Sequence, residues 1–308
     1  MKVKMIKKLF SPDNSLSWMQ DYAQIPYGLV NGQILYVYFS SRSKKDAYGN
    51  FKSYTGLACF DLLENYKMTY LSQSPLVELG EKGSFDEFGV MPGSIVKHSE
   101  DSYEMFYCGW SRPQNRPYRW SIGSAKSSDA INFSKISSSP LTLSENEDLT
   151  ACPMVYKQGS SKMYYLAGES WVNHGGRFES VYLIKDANLD QLDRWRPGGK
   201  NIIPKSYELE CQTSPSLYSI DGSQYMFYSY RHALNFRVDP DQNYRTAWAV
   251  KSDIETWEKG GDVVFQHENN ERIDIAYANV YSYLGANYVL YNLTQGFGTS
   301  GIFLGIIN

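Results

Sequence analysis

The stretch Pro26-Tyr-Gly-Leu-Val30, followed across Asn31-Gly-Gln33 by Ile34-Leu-Tyr-Val-Tyr-Phe39, decides the fold. Both halves are short apolar or aromatic runs, which is strand chemistry, and a glycine-bearing turn joins them. The pattern returns at Pro92-Gly-Ser-Ile-Val96, Pro153-Met-Val-Tyr156, Pro215-Ser-Leu-Tyr218 and Ala278-Asn-Val-Tyr281. Each of these runs into a second aromatic strand: Tyr103 to Cys108, Lys162 to Leu166, Gln224 to Tyr228 and Tyr288 to Tyr291. The anchors at 26, 92, 153, 215 and 278 stand 66, 61, 62 and 63 residues apart, so the chain consists of five units of one size.

A third strand with small residues follows in every unit: Tyr54 to Phe60, Trp120 to Ala125, Ser180 to Ile184, Thr246 to Val250 and Gly301 to Ile306. A fourth is marked by Tyr70-Leu71, Lys135-Ile136, Asn201-Ile-Ile203 and Val263-Val-Phe265. The fifth unit lacks one, and Val3 to Phe10 supplies a spare strand at the other end of the chain. The reading is all-β: a five-bladed β-propeller of four-stranded blades, one domain over 1–308, with the N-terminal strand closing the last blade.

Composition narrows the function classes. The chain is 308 residues long, 42% apolar and 20% charged, with a net charge of −3 spread without long like-sign runs. Such a surface offers no basic field to nucleic acid and no polybasic patch to a membrane. No stretch approaches 18 consecutive apolar residues, and lysines at 2, 4, 7 and 8 interrupt any signal-like core, so a cytoplasmic location is expected. Cys59, Cys108, Cys152 and Cys211 form no C-x-x-C pair, and the four histidines show no ligand spacing, so neither a metal nor a cofactor is expected.

In a propeller the first strand of each blade lines the axis, and the loops before those strands converge on one face. Asp21, Glu87, Asp148 and Glu210 stand five residues before their prolines, Asp86 adjoins Glu87, and Asp274 stands four before Ala278. Carboxylates gathered at one cavity repel one another and separate into a general acid and a general base. A basic and aromatic set recurs beside them: Trp110 with Arg112, Tyr118 with Arg119, Tyr230-Arg231-His232, and Tyr244-Arg245. Inward-pointing arginines would bind a carboxylate or phosphate, and Tyr or Trp would stack on sugar faces.

Short motifs add a family resemblance. Trp18-Met-Gln-Asp21 resembles the invertase W-M-N-D motif that carries the nucleophile, Pro26-Tyr-Gly-Leu29 the P-N-G-L that follows it, Met91-Pro-Gly-Ser94 the F-S-G-S, and Glu210-Cys211 the E-C pair that holds the acid. The chain thus resembles the five-bladed propeller clan of glycoside hydrolase families 32 and 43. Phe85-Asp-Glu-Phe-Gly-Val-Met-Pro92, Pro117-Tyr-Arg119, Tyr228-Ser-Tyr-Arg231 and Gly296-Phe-Gly298 bring it nearest to uncharacterised bacterial relatives in surface-polysaccharide gene clusters.

The resemblance implies a glycosidase-like hydrolase of polysaccharide metabolism, with Asp21 as base or nucleophile, Glu210 as general acid and Asp148 as the group that tunes them. In the active families, acids stand directly before the prolines of blades one and three. Here those places hold Ile25 and Cys152, and the acids lie three or four residues earlier, roughly 10–13 Å of extended chain. Either the loops coil so that Asp21, Asp148 and Glu210 reach the family positions, or the hydrolytic set is gone. In the second case an anionic sugar, a nucleotide sugar or sugar acid, would be clamped by Arg119, Arg231 and Arg245. A non-catalytic scaffold with a filled axis is the third possibility.

Overall fold

The computed structural model describes residues 1–141, 149–158, 160–190, 194–252, 256–266, 275–293 and 301–308. Strand β1 (Lys2–Phe10) precedes a meander of β2 (Asp21–Asn31), β3 (Ile34–Arg42), β4 (Ser53–Asp61) and β5 (Lys67–Leu71), paired antiparallel in that order. The same path repeats in β6 (Gly89–Ser99), β7 (Ser102–Ser111), β8 (Arg119–Ser127) and β9 (Ser134–Lys135), and one bridge, Ser53 to Gly89, links the two sheets. It repeats again in β10 (Thr150–Gln158), β11 (Ser160–His174), β12 (Arg177–Leu189) and β13 (Trp195–Asn201), and in β14 (Glu210–Ile220), β15 (Ser223–His232), β16 (Arg245–Lys251) and β17 (Trp257–Asp262).

The last sheet runs β18 (Val264–Gln266), β1, β21 (Ile302–Ile307), β20 (Ala286–Leu293), β19 (Ile275–Tyr283). Strand β1 pairs antiparallel with β21 from Val3–Ile307 to Phe10–Ile302, and β18 lies parallel on its outer edge. Val263-Val-Phe265 therefore does not form the outer strand of the fourth unit. That place belongs to β17, because buried Trp257 heads it and packs edge-on against Tyr164 of the preceding sheet at 5.8 Å. Trp195 does the same at the head of β13, 5.9 Å from Phe106. The third unit's outer strand accordingly starts ahead of Asn201-Ile-Ile203.

Apolar clusters fill the spaces between consecutive sheets, including the space between the last and the first. There Leu35, Val37 and Phe39 meet Tyr281, Leu290 and Leu304. The small residues of the third strands have a packing reason. A Cβ on Gly56 would come within 2.7 Å of the Phe39 ring, and one on Gly123 within 2.5 Å of the Tyr107 ring. Each ring lies across its register partner.

All five first strands carry a register shift at the anchor, which leaves backbone N–H groups without ladder partners. Small polar side chains of neighbouring sheets satisfy them. Ser94 Oγ accepts from Val155 N–H at 2.9 Å, Ser216 Oγ from Val280 N–H at 2.8 Å, and Asn279 Oδ1 from Gly28 N–H at 2.9 Å, the last joining the fifth unit to the first. Helix is confined, among the described residues, to one 3₁₀ turn at Pro240–Gln242, and no helix is long and apolar enough to cross a membrane.

Candidate functional site

The bulges twist the residue before the anchor into the left-handed region in four of the five units: Ile25 (φ 53°), Cys152 (φ 50°), Ser214 (φ 52°) and Tyr277 (φ 57°). Non-glycine residues held this way cost energy and gather at functional sites. All four line one small cavity of about 30 Å³ together with Pro26, Pro92, Pro153 and Pro215. Anchors from every unit thus meet at one hub. Among its described lining residues there is no carboxylate: the four residues before the anchors present an aliphatic chain, a thiol, a hydroxyl and a phenol.

The predicted acids lie elsewhere. Asp21 is exposed at the start of β2, in register with Arg42. Asp86 is buried and turned along its own sheet, 2.6 Å from Lys135 Nζ and accepting from Tyr107 Oη at 3.0 Å. Glu87 is half-buried and accepts the Gly83 N–H at 2.7 Å. Glu210, 1% exposed, accepts from Lys259 Nζ at 3.0 and 3.2 Å, from Gln212 Nε2 at 2.8 Å and from the Ser206 N–H. Its carboxyl group stands as an acceptor with donors on both oxygens. Asp148, Asp274 and the Gly296-Phe-Gly298 run lie outside the described residues.

Glu210 borders a cavity of about 530 Å³ over the fourth sheet. Tyr207, Tyr228, Tyr230 and His232 wall it, and the polar groups Asp241, Arg245, Lys259 and Asp262 project into it. Strand alternation explains the set: Glu210 faces His232 and Tyr230 faces Arg245 in the ladder, so one face of β14, β15 and β16 delivers four of them. Tyr230 Oη donates to Asp262 at 2.7 Å, and burial together with the Asp262 charge pushes the phenol up to about 12, so it remains a donor. Arg245 donates to the Asp241 carbonyl at 3.2 Å. The Tyr207 ring stacks on His232 at 5.6 Å, and burial and Glu210 push its phenol well up. Asp241, Lys259 and Asp262 go unmarked in the sequence because nothing local distinguishes them.

The basic and aromatic candidates fall into separate groups. Arg245 and His232 join the cavity, whereas Arg231, one residue along, points to the opposite face of β15. Arg231 is 3% exposed; its Nε donates to Tyr182 Oη at 3.0 Å and Nη1 to the His232 carbonyl at 2.8 Å, while the Phe236 ring covers it at 3.6 Å. Arg119 is exposed. Tyr118 stacks on Trp120 at 4.7 Å, lies 5.2 Å from Trp171 and shares a hydrogen bond with Ser180 Oγ at 2.7 Å, forming a half-buried aromatic platform. Trp110 is buried against Gly89, its Nε1 without a partner among the described residues, between Phe51 and Phe88.

Arg119, Arg231 and Arg245 therefore do not share one clamp. A different arginine, Arg42, closes β3 with its guanidinium 4.5 Å from the Tyr22 ring and 4.2 Å from the Phe51 ring. A signal for it exists in the sequence. Ser40-Ser-Arg42, Trp110-Ser-Arg112 and Ser229-Tyr-Arg231 each put an arginine within one residue of the end of a second strand. Among the described residues, no group of three His, Cys, Asp or Glu is placed to hold a metal ion.

Comparisons with known proteins agree on the architecture. No family model matches the chain. Two uncharacterised proteins of Mycobacterium tuberculosis are each 25% identical to it over 314 residues, spanning 99% of this chain and 98% of theirs. Among solved structures, a glycosyl hydrolase from Bacteroides ovatus superposes with a TM-score of 0.70 at 13% identity, over 99% of this chain and 93% of that one. A thermostable family-43 glycoside hydrolase gives 0.64 at 16% identity, over 92% and 88%. A structure from the GH130 family of mannoside phosphorylases, which contains glycoside hydrolases that target β-1,2 mannosidic linkages in Candida mannan, gives 0.67 at 14% identity, over 99% and 94%. The chain has the all-β, propeller-like fold of these glycosidase structures.

Proposed function

We propose that the chain is a single five-bladed β-propeller domain and a glycosidase-like enzyme of surface-polysaccharide metabolism, with the cavity over the fourth sheet as its sugar site. The carrying observation is that Glu210, Asp241 and Asp262 border one cavity walled by tyrosines. Two-carboxylate hydrolysis needs one ionised group and one proton donor across the scissile bond. Glu210, with Lys259, Gln212 and the Ser206 N–H all donating to it, suits the ionised base or nucleophile, not the acid that the E-C motif suggests. Asp262, on the opposite edge of the sheet, is the proposed second carboxyl group; Tyr230 holds one of its oxygens, and the other takes up the proton that the leaving group needs once the ligand is bound. The sequence-derived alternative keeps Glu210 as the acid, brings Asp21 in as the base across the mouth and adds Asp148 as its tuner.

Hydrolysis of a panel of neutral aryl glycosides and oligosaccharides tests the reading. Replacing Glu210→Gln or Asp262→Asn is expected to lower kcat about 100-fold or more. Full activity in Glu210→Gln sinks the proposal. Loss of activity in Asp21→Asn, with Asp262→Asn unaffected, favours the alternative assignment.

A further inference from the structure

Two sets of cations among the described residues differ in what surrounds them. Lys135, Lys162, Lys205 and Lys259 each have a carboxylate within 3.0 Å. Arg42 and Arg231 have none within 4 Å among the described residues; both lie against aromatic faces near the hub. Arg42 is held by Tyr22 and Phe51, and Arg231 by Phe236, Tyr182 and Tyr244. A guanidinium tolerates such packing because its hydration is weak; among the described residues Arg231 has no carboxylate against it, and Arg42 has only the exposed Asp21, its register partner, acting from beyond ion-pair distance.

The fields of both reach one residue. Tyr277, on the hub and in left-handed backbone, packs its ring 5.4 Å from Tyr244, whose own ring lies 5.4 Å from the Arg231 guanidinium. Burial lowers Arg42 from the usual guanidinium range, and Tyr22, Tyr277 and Asp21 oppose that fall. Burial drives the Tyr277 phenol up, Tyr244 adds to the rise, and the Arg231 charge opposes it, so the hydroxyl is a donor throughout the neutral range.

We propose that the hub mouth binds an anionic group of the ligand, a carboxylate or phosphate carried on a sugar, with half-buried Arg42 as the direct donor, the Tyr277 hydroxyl turning from Tyr244 to join it, and Arg231 as a buried positive charge behind them. Arg42 is the accessible contact, and its planar fork matches an oxyanion in two places. Arg231 stays beneath Phe236 and acts through the low dielectric around it. This inference rests on the proposal of a carbohydrate ligand but does not need hydrolysis.

Isothermal titration of the full chain with a uronic acid, its neutral parent sugar, a sugar phosphate and inorganic phosphate tests it. The charged sugars are expected to bind at least tenfold tighter than the neutral parent, with affinity falling as salt rises. Arg42→Met should lower charged-sugar affinity to that of the neutral parent, Arg42→Lys should restore part of the preference, and Tyr277→Phe should weaken it. The uronic acid and the sugar phosphate arms identify which oxyanion is preferred. Equal affinity for charged and neutral sugars, or an unchanged preference in a folded Arg42→Met protein, overturns the inference. Binding of charged sugar without glycoside cleavage supports it while overturning the hydrolytic proposal.

Discussion

Lys259 Nζ lies 3.0 Å from Glu210 Oε1, and the same bridge recurs two units earlier, where Lys135 lies 2.6 Å from Asp86. In both units an acid at the entry to the first strand reaches across to a lysine on the last strand. The recurrent acids at these two places tie each sheet together from edge to edge instead of pointing at the hub.

Removing the lysine should therefore expose the cost of a stranded charge. Lys259→Met leaves Glu210 buried without its counter-ion and is expected to destabilise the fold by about 3 kcal/mol, read from urea denaturation. The double change Lys259→Met with Glu210→Gln should regain most of that loss. If the single variant is as stable as the parent, the bridge carries no structural weight.

The tryptophans that head β13 and β17 give a second expectation. Trp257→Ala and Trp195→Ala each empty an inter-sheet contact and should cost about 3–5 kcal/mol. Trp257→Phe should cost markedly less. Thermal melts with circular dichroism distinguish the three variants.

Alkaline pH should unfold the protein by a defined route. Burial pushes Tyr27 and Cys59 up to about 12, and burial with the Asp262 charge does the same for Tyr230. A folded value above the unfolded one means that the stabilisation is fully present below the unfolded value, near 9 for the thiol and 10 for the phenols, and is lost as pH rises through about 12. Tyrosinate absorbance is expected to rise in two steps, exposed phenols first and buried ones together with loss of ellipticity.

Burial also raises the Cys108, Cys152 and Cys211 thiols, so their thiolate fraction is small at about pH 8. Thiol reagents should label the native chain slowly and the urea-unfolded chain at the ordinary rate. Rapid labelling of Cys152 in the native state would show that the hub opens to solvent.

Much of the fold is written in the period of the anchors, because a proline or alanine at a bulge and an aromatic second strand recur in every unit. The outer strand of the fourth unit is misplaced by local pattern because Val263-Val-Phe265 is the more strand-like run, yet Trp257 wins through tertiary packing. The site is harder to read. An anchor bulge adds a residue to one strand, so the face taken by Asp86 or Glu210 relative to the hub cannot be counted from alternation alone. Arg231 and Arg245 look equivalent in sequence, but successive positions on one strand send Tyr230 and Arg231 to opposite faces, and Arg245 follows Tyr230. Arg42 is legible through its likeness to Arg112 and Arg231, although no tyrosine stands beside it to draw notice.

The lock between β1 and β21 sets an order on biogenesis. During translation the first strand leaves the ribosome with no partner, and it stays unpaired while sheet after sheet is made behind it. Its four lysines, Lys2, Lys4, Lys7 and Lys8, keep that waiting segment charged and unattractive to other nascent strands until β18 and then β21 emerge.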